Sequence, residues 1–180
     1  MRKLVKVFEE EEIDYMFIGG LALPAYGEIR ATQDVDVAVA VTSLQNLEHL
    51  FNQLRKRSFE PTSYPSLDAS CSYFLDRENM VDVEIWLKPD GVKFDIELLA
   101  RRRRIELEEN LDTWVIGPED FIVNKLSRVD RRARDENDVV SVLIEQRERL
   151  DREYLEKRAK EFDVFPLLQV LERRVEKISK

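Results

Sequence analysis

Residues 34–41 read Asp-Val-Asp-Val-Ala-Val-Ala-Val, the cleanest two-residue alternation in the chain. In an extended segment Val35, Val37, Val39 and Val41 fall on one face, and Asp34, Asp36, Ala38 and Ala40 on the other. At helical spacing the same valines would scatter around the axis, so the pattern specifies a strand. Its valine face must be covered by other elements, and its opposite face carries two carboxylates side by side.

The flanking segments supply the rest of a layered fold. Leu4, Val5, Val7, Phe8 and Ile13 lie among charges and predict a helix over residues 2–12. Tyr15-Met16-Phe17-Ile18 is a short apolar run ended by Gly19-Gly20, which reads as a buried strand. Leu21 to Tyr26 fits a short helix with Pro24 in its first turn and Gly27 at its C-terminal cap. Ser43 is placed to cap a helix through about Lys56, with Leu44, Leu47, Leu50, Phe51 and Leu54 on its apolar side. Residues 59–70 read as a loop. Tyr73–Leu75 and the alternating Val81–Leu87 read as strands, and Pro89-Asp90-Gly91 as a turn. Phe94–Arg103 is expected to be helical, with short strands at 105–107 and 113–116. Gly117-Pro118-Glu119-Asp120 then opens a helix, with proline near its start and acids in its first turn. Helices are expected over 119–128, 135–149, 151–162 and 165–178. The expectation is an α/β (α+β) protein. A mixed sheet flanked by helices would occupy residues 1–117, and a C-terminal helical region, 118–180, would pack on that core.

Composition narrows the function. A net charge of −8 argues against coating nucleic acid by bulk electrostatics. One cysteine, Cys71, excludes an internal disulfide and a Cys-rich zinc site. One histidine, His49, leaves little room for a histidine-based triad. The longest mostly apolar stretch, Tyr15–Ala25, is too short to span a membrane, and the N-terminal residues have no signal-peptide core. A cytoplasmic protein with no membrane partner is expected.

The Asp-x-Asp strand gains meaning from its neighbours. Two adjacent carboxylates repel unless a cation lies between them. Mg²⁺ takes oxygen ligands and is commonly held by one or two carboxylates plus substrate phosphates. Gly19 and Gly20 allow a phosphate to approach backbone N–H groups at a helix start. Arg30 and Thr32, just before the aspartates, are suited to steadying phosphate or carboxylate oxygens. Asp82 and Glu84 share one face of another strand, and either acid would complete a metal site or take a proton from an attacking hydroxyl.

The run Phe17-Ile18-Gly19-Gly20-Leu21-Ala22 through Arg30-Ala31-Thr32-Gln33-Asp34-Val35-Asp36-Val37 resembles the DNA polymerase β-like nucleotidyltransferase superfamily. Its wording looks most like small prokaryotic members such as the AbiEii toxin-type nucleotidyltransferases. The segment from Gly117 to Leu126, followed by Arg134-Asp135-Glu136-Asn137-Asp138, is similar to the helical part of those proteins, so the resemblance covers roughly residues 13–145. It implies that Gly19 and Gly20 contact a triphosphate and that Asp34 and Asp36 hold Mg²⁺ (or Mn²⁺). Glu84 or Asp82 would be the third carboxylate, and Lys125 would reach a phosphate.

The function implied is transfer of a nucleoside monophosphate from an NTP to an acceptor hydroxyl on an RNA end, a protein or a small molecule. The alternative is a nucleotide-binding or regulatory module of the same fold, paired with an antitoxin or forming a homo-oligomer. The remaining conspicuous residues read as structural. Arg101–Arg104 is either a nucleic-acid patch or an internally paired surface. Asp130–Asp138 reads as a helix-surface ion network. His49, Cys71, Trp86 and Trp114 read as helix, loop, core or sheet residues.

Overall fold

The computed structural model describes residues 1–28, 32 and 34–178. The chain divides into two compact units. One comprises Met1–Leu21, Ala31–Pro89 and Arg104–Val115, and the other Ala22–Arg30, Asp90–Arg103 and Ile116–Lys180. Residues 22–28 and 90–103 fall in the same unit as the C-terminal helices.

The first unit is built on a seven-stranded mixed sheet. Its strands are β1 (Tyr15–Phe17), β2 (Asp34–Val39), β3 (Phe59–Pro61), β4 (Cys71–Asp76), β5 (Val81–Trp86), β6 (Arg103–Glu108) and β7 (Leu111–Val115), in the order β3-β4-β5-β2-β1-β7-β6. β2 runs parallel to β5 and antiparallel to β1, and β1 runs parallel to β7. The expected alternation in β2 is present: Val35, Val37 and Val39 are buried, Asp34 is exposed and Asp36 half-buried. Helices α1 (Arg2–Glu10) and α2 (Leu44–Arg55) cover the valine face. Phe8 of α1 stacks on Tyr15, with centroids 4.8 Å apart. Phe51 of α2 meets Phe74 of β4 at the same separation. Phe74 registers with Val83 and Val83 with Val35, so these rings lie on the side opposite the aspartates. Ser43 caps α2 by accepting the Asn46 N–H at 3.1 Å, as its position predicts.

Three local expectations need correction. Residues 59–61 are not loop but the edge strand β3, where Pro61 is tolerated because an edge position asks less of its missing N–H. The helix expected over 94–103 is confined to α3 (Ile96–Arg101). Asp95 starts it by accepting the Leu98 N–H at 2.8 Å, and the chain turns extended at Arg102 before entering β6. Residues 19–26 form a 3-10 helix rather than an α-helix over 21–26. Gly27 ends it at φ +96, a conformation glycine adopts without strain.

In the second unit α4 (Pro118–Ser127) is the central element. Every residue from Pro118 to Leu126 is buried, and α4 packs on α5 (Ala133–Glu145) and α6 (Arg152–Glu161). α7 (Phe165–Ile178) packs on α5 and α6. Gly117 caps α4 where a Cβ would stand 2.8 Å from the Arg101 carbonyl oxygen. Among the described residues no helix is long and apolar enough to cross a membrane.

Candidate active site

Four carboxylates lie on one face of the first unit's sheet, and strand pairing brings them together. In the parallel β2–β5 ladder Asp34 registers with Asp82, and Asp36 with Glu84. Partners in register point to the same side, so Asp34, Asp36, Asp82 and Glu84 all project from the face opposite the valines. Neighbouring strands lie about 4.8 Å apart, which puts each acid of β2 beside one of β5. Asp34 and Asp82 are exposed, and Asp36 and Glu84 half-buried.

Two contacts orient the β2 acids. The Thr32 hydroxyl donates to Asp34 Oδ1 at 2.5 Å. Trp86 Nε1 donates to Asp36 Oδ1 at 3.4 Å from two residues beyond Glu84 on β5. The Gly-Gly turn meets the same row. Ile18 N–H donates to the Asp36 carbonyl at 3.0 Å, and Gly19 follows at φ +63. A Cβ on Gly19 would stand 2.9 Å from Asp36 Cγ, so the turn lies directly against that carboxylate. The 3-10 helix begins there, with its first N–H groups at the turn.

The donor set fits a hard divalent cation: only carboxylate oxygens, in cross-strand pairs, beside a turn narrow enough to demand glycine. Among the described residues no three His, Cys, Asp or Glu side chains converge on one point. The arrangement therefore suits an ion held by two carboxylates and completed by substrate phosphate oxygens, which is the usual Mg²⁺ pattern.

A family model described as "Nucleotidyltransferase of unknown function (DUF6036)" matches residues 1–177. The chain belongs to this family. No curated protein matches it. Solved structures share the nucleotidyltransferase fold. An antigenic nucleotidyltransferase-like protein from Paracoccidioides brasiliensis aligns with TM-score 0.55 and 19% identity, over 94% of this chain and 88% of that one. The lincomycin-bound lincosamide antibiotic adenylyltransferase LnuA aligns with TM-score 0.55 and 13% identity, over 78% and 94%. The antibiotic-resistance factor ANT(2'')-Ia aligns with TM-score 0.55 and 14% identity, over 98% and 95%.

Within this nucleotidyltransferase the other sequence-derived residues are placed differently. Lys125 lies in the second unit, almost fully buried. Its Nζ is 2.9 Å from Asp135 Oδ1 and 3.2 Å from Asp138 Oδ2. The 130–138 segment is thus only partly a surface network. Arg128–Asp130 and Arg131–Glu136 are rim pairs, but Asp135 and Asp138 turn inward to Lys125. Burial pushes the Asp135 carboxyl up. The Arg132 backbone N–H and the Lys125 ammonium outweigh that and leave it below its ordinary value. Arg30 lies outside the described residues.

The Arg101–Arg104 run is internally paired. Arg101 bonds Asp151 at 2.8 Å and covers the Tyr154 ring, and Arg103 donates to Gln146 at 3.0 Å. Arg104 lies 3.6 Å from Asp112. His49 pairs with Glu11 at 2.6 Å on the surface.

Three residues read only as structural belong to the carboxylate face. Tyr73 registers with Glu84, Cys71 registers with Trp86, and Trp86 bonds Asp36. The Cys71 thiol is pushed up to about 12 by burial and by the charges of Glu84 and Asp36, so it is held as a thiol. The available signal was alternation: Cys71, Tyr73 and Leu75 share a face, but only strand order reveals which neighbour that face meets.

Proposed function

We propose that this nucleotidyltransferase moves a nucleoside monophosphate from an NTP to an acceptor hydroxyl in a Mg²⁺-dependent reaction. The observation that carries the reading is the β2–β5 register, which sets Asp34 beside Asp82 and Asp36 beside Glu84, next to the Gly19 turn.

In this reading Asp34 and Asp36 would hold the cation, which would neutralise triphosphate charge and stabilise the leaving oxygen. Gly19 and Gly20 offer backbone N–H groups to the triphosphate. Thr32 keeps the Asp34 carboxylate turned toward the site. Glu84, beside Asp36 and one methylene longer than aspartate, takes the acceptor's proton. The acceptor oxygen forms a bond to the α-phosphorus, the bond to the bridging oxygen breaks, and pyrophosphate leaves. Lys125, already tied to two carboxylates, acts by holding α4 to α5.

The sequence likeness to AbiEii toxin-type members keeps RNA ends and protein hydroxyls among the acceptors. The antibiotic-modifying neighbours bring in small molecules. Incubation with α-labelled NTPs, Mg²⁺ and separate RNA, protein and small-molecule pools tests the reading. One pool should become labelled, and Asp36→Asn should abolish the label. A second reading is a nucleotide-binding module without turnover, favoured by the lack, among the described residues, of three converging carboxylates. Mg²⁺-dependent nucleotide binding with no labelled pool would decide for it.

A further inference from the structure

We infer that Tyr73 is the acceptor-positioning residue of this site, and that the acceptor is a hydroxyl compound carrying a positive charge. The inference rests on the nucleotidyl-transfer reading above and narrows its acceptor.

The geometry is a row across three strands. Tyr73 on β4 registers with Glu84 on β5, and Glu84 registers with Asp36 on β2. All three project from one face, with the β4 backbone about 4.8 Å along the sheet from that of β5 and about twice that from that of β2. Tyr73 is 50% exposed and stands just past the last β3–β4 pair, Pro61 with Phe74. The next row on the same face, Cys71 and Trp86, adds a second ring, and the Trp86 indole is fixed by its bond to Asp36. Glu84 therefore stands between the metal-side aspartate and an open aromatic surface. The Gly19 turn, assigned to the triphosphate, lies against Asp36 at the opposite end of the row. A nucleotide at Gly19 leaves the Tyr73 side of Glu84 for the hydroxyl that Glu84 must deprotonate.

Charge selects the acceptor class. β2, β4 and β5 contain five acids and not one lysine or arginine, and four of the acids lie on the site face. An RNA end would bring further phosphates, which proteins meet mainly with lysine and arginine. These strands offer phosphate only carboxylates. An ammonium group is favoured by the same features, because exposed carboxylates attract it and an aromatic face binds it.

The test uses the full chain with Mg²⁺ and α-labelled ATP and GTP. Three probe sets serve as acceptors: glucosamine and an aminocyclitol (cationic), glucose and myo-inositol (neutral), and glucose 6-phosphate and a 3′-hydroxyl oligoribonucleotide (anionic). Cationic probes should be labelled at least about tenfold faster than anionic ones. Tyr73→Ala should raise KM for the labelled acceptor about tenfold, with kcat within about threefold and binding of a fluorescent ATP analogue unchanged. Tyr73→Phe should restore the wild-type KM, because the ring and not the hydroxyl does the positioning. Unchanged acceptor KM in Tyr73→Ala, preferential labelling of the anionic probes, or labelling of no cationic probe while Mg²⁺-dependent binding of the ATP analogue persists overturns this inference alone. Absence of Mg²⁺-dependent nucleotide binding overturns the nucleotidyl-transfer reading and this inference with it.

Discussion

The Asp36 carboxylate lies against the α-carbon of Gly19, so close that a Cβ there would stand 2.9 Å from Asp36 Cγ. Gly19 also sits at φ +63, where an L side chain is strained. Two independent reasons thus require glycine at this position, and both act on a residue of the site. Gly19→Ala should lower stability by about 1–3 kcal/mol in urea unfolding and displace Asp36, reducing transfer by more than the stability loss explains. Wild-type activity in a destabilised variant would show that Asp36 tolerates displacement and that the turn is only architectural.

The four carboxylates are separable by substitution. Asp34→Asn and Asp36→Asn should each reduce transfer at least about a hundredfold. For the exposed Asp34, stability should change by no more than about 0.5 kcal/mol. On β5 the two candidates should part company: Glu84→Gln should match the loss in Asp36→Asn, and Asp82→Asn should cost much less. Steady-state rates with the labelled acceptor decide it. The reverse order would assign the third carboxylate to Asp82.

Part of the candidate site is legible in the sequence, and the reason is local periodicity. The valine alternation fixed which way Asp34 and Asp36 point, and Gly19-Gly20 marked the end of β1. What periodicity does not contain is strand order. β5 lies more than forty residues beyond β2, so its parallel pairing, and hence the identity of each acid's neighbour, is a long-range fact. Tyr73 and Trp86 enter the site by that route alone, and for the same reason they looked like ordinary sheet residues. Asp135 and Asp138 misled in the opposite direction. Amid arginines they resemble a solvated helix face, but a spacing of three residues sets them on one side of α5, and their partner Lys125 is buried on α4.

That buried cluster has a predictable energetic signature. Removing one partner of a buried ion pair leaves the other charge uncompensated, at a cost of about 3–5 kcal/mol. Lys125→Met should therefore shift the urea midpoint strongly, and adding Asp135→Asn and Asp138→Asn should recover part of the loss. Because the folded-state pKa of Asp135 is lowered, its contribution is present above its ordinary value of 3.8 and is lost as pH falls through the lowered value. If Lys125 serves catalysis and not the helix pair, Lys125→Met will lose transfer with its midpoint unmoved.

Asp120 on α4 titrates in the opposite sense. It is fully buried and accepts the Tyr154 hydroxyl on both oxygens, at 3.0 and 2.9 Å, and Arg158 Nε at 3.2 Å. Burial raises its carboxyl to about 6, with the Glu119 charge adding to the rise, and the Tyr154 and Arg158 contacts only partly offset it. A folded-state pKa above the ordinary 3.8 means the folded protein holds this proton more tightly than the unfolded chain. The stability it contributes is complete below pH 3.8 and is lost as pH rises through about 6, a difference on the order of 1–3 kcal/mol. Urea unfolding of wild type and Asp120→Asn at intervals from pH 4 to pH 7 reports on Asp120 and the groups coupled to it, since groups that do not interact with it cancel in the difference. The wild type should lose stability relative to the variant across that window. Parallel pH profiles would mean that Arg158 keeps Asp120 ionised throughout and that the pair is a permanent salt bridge.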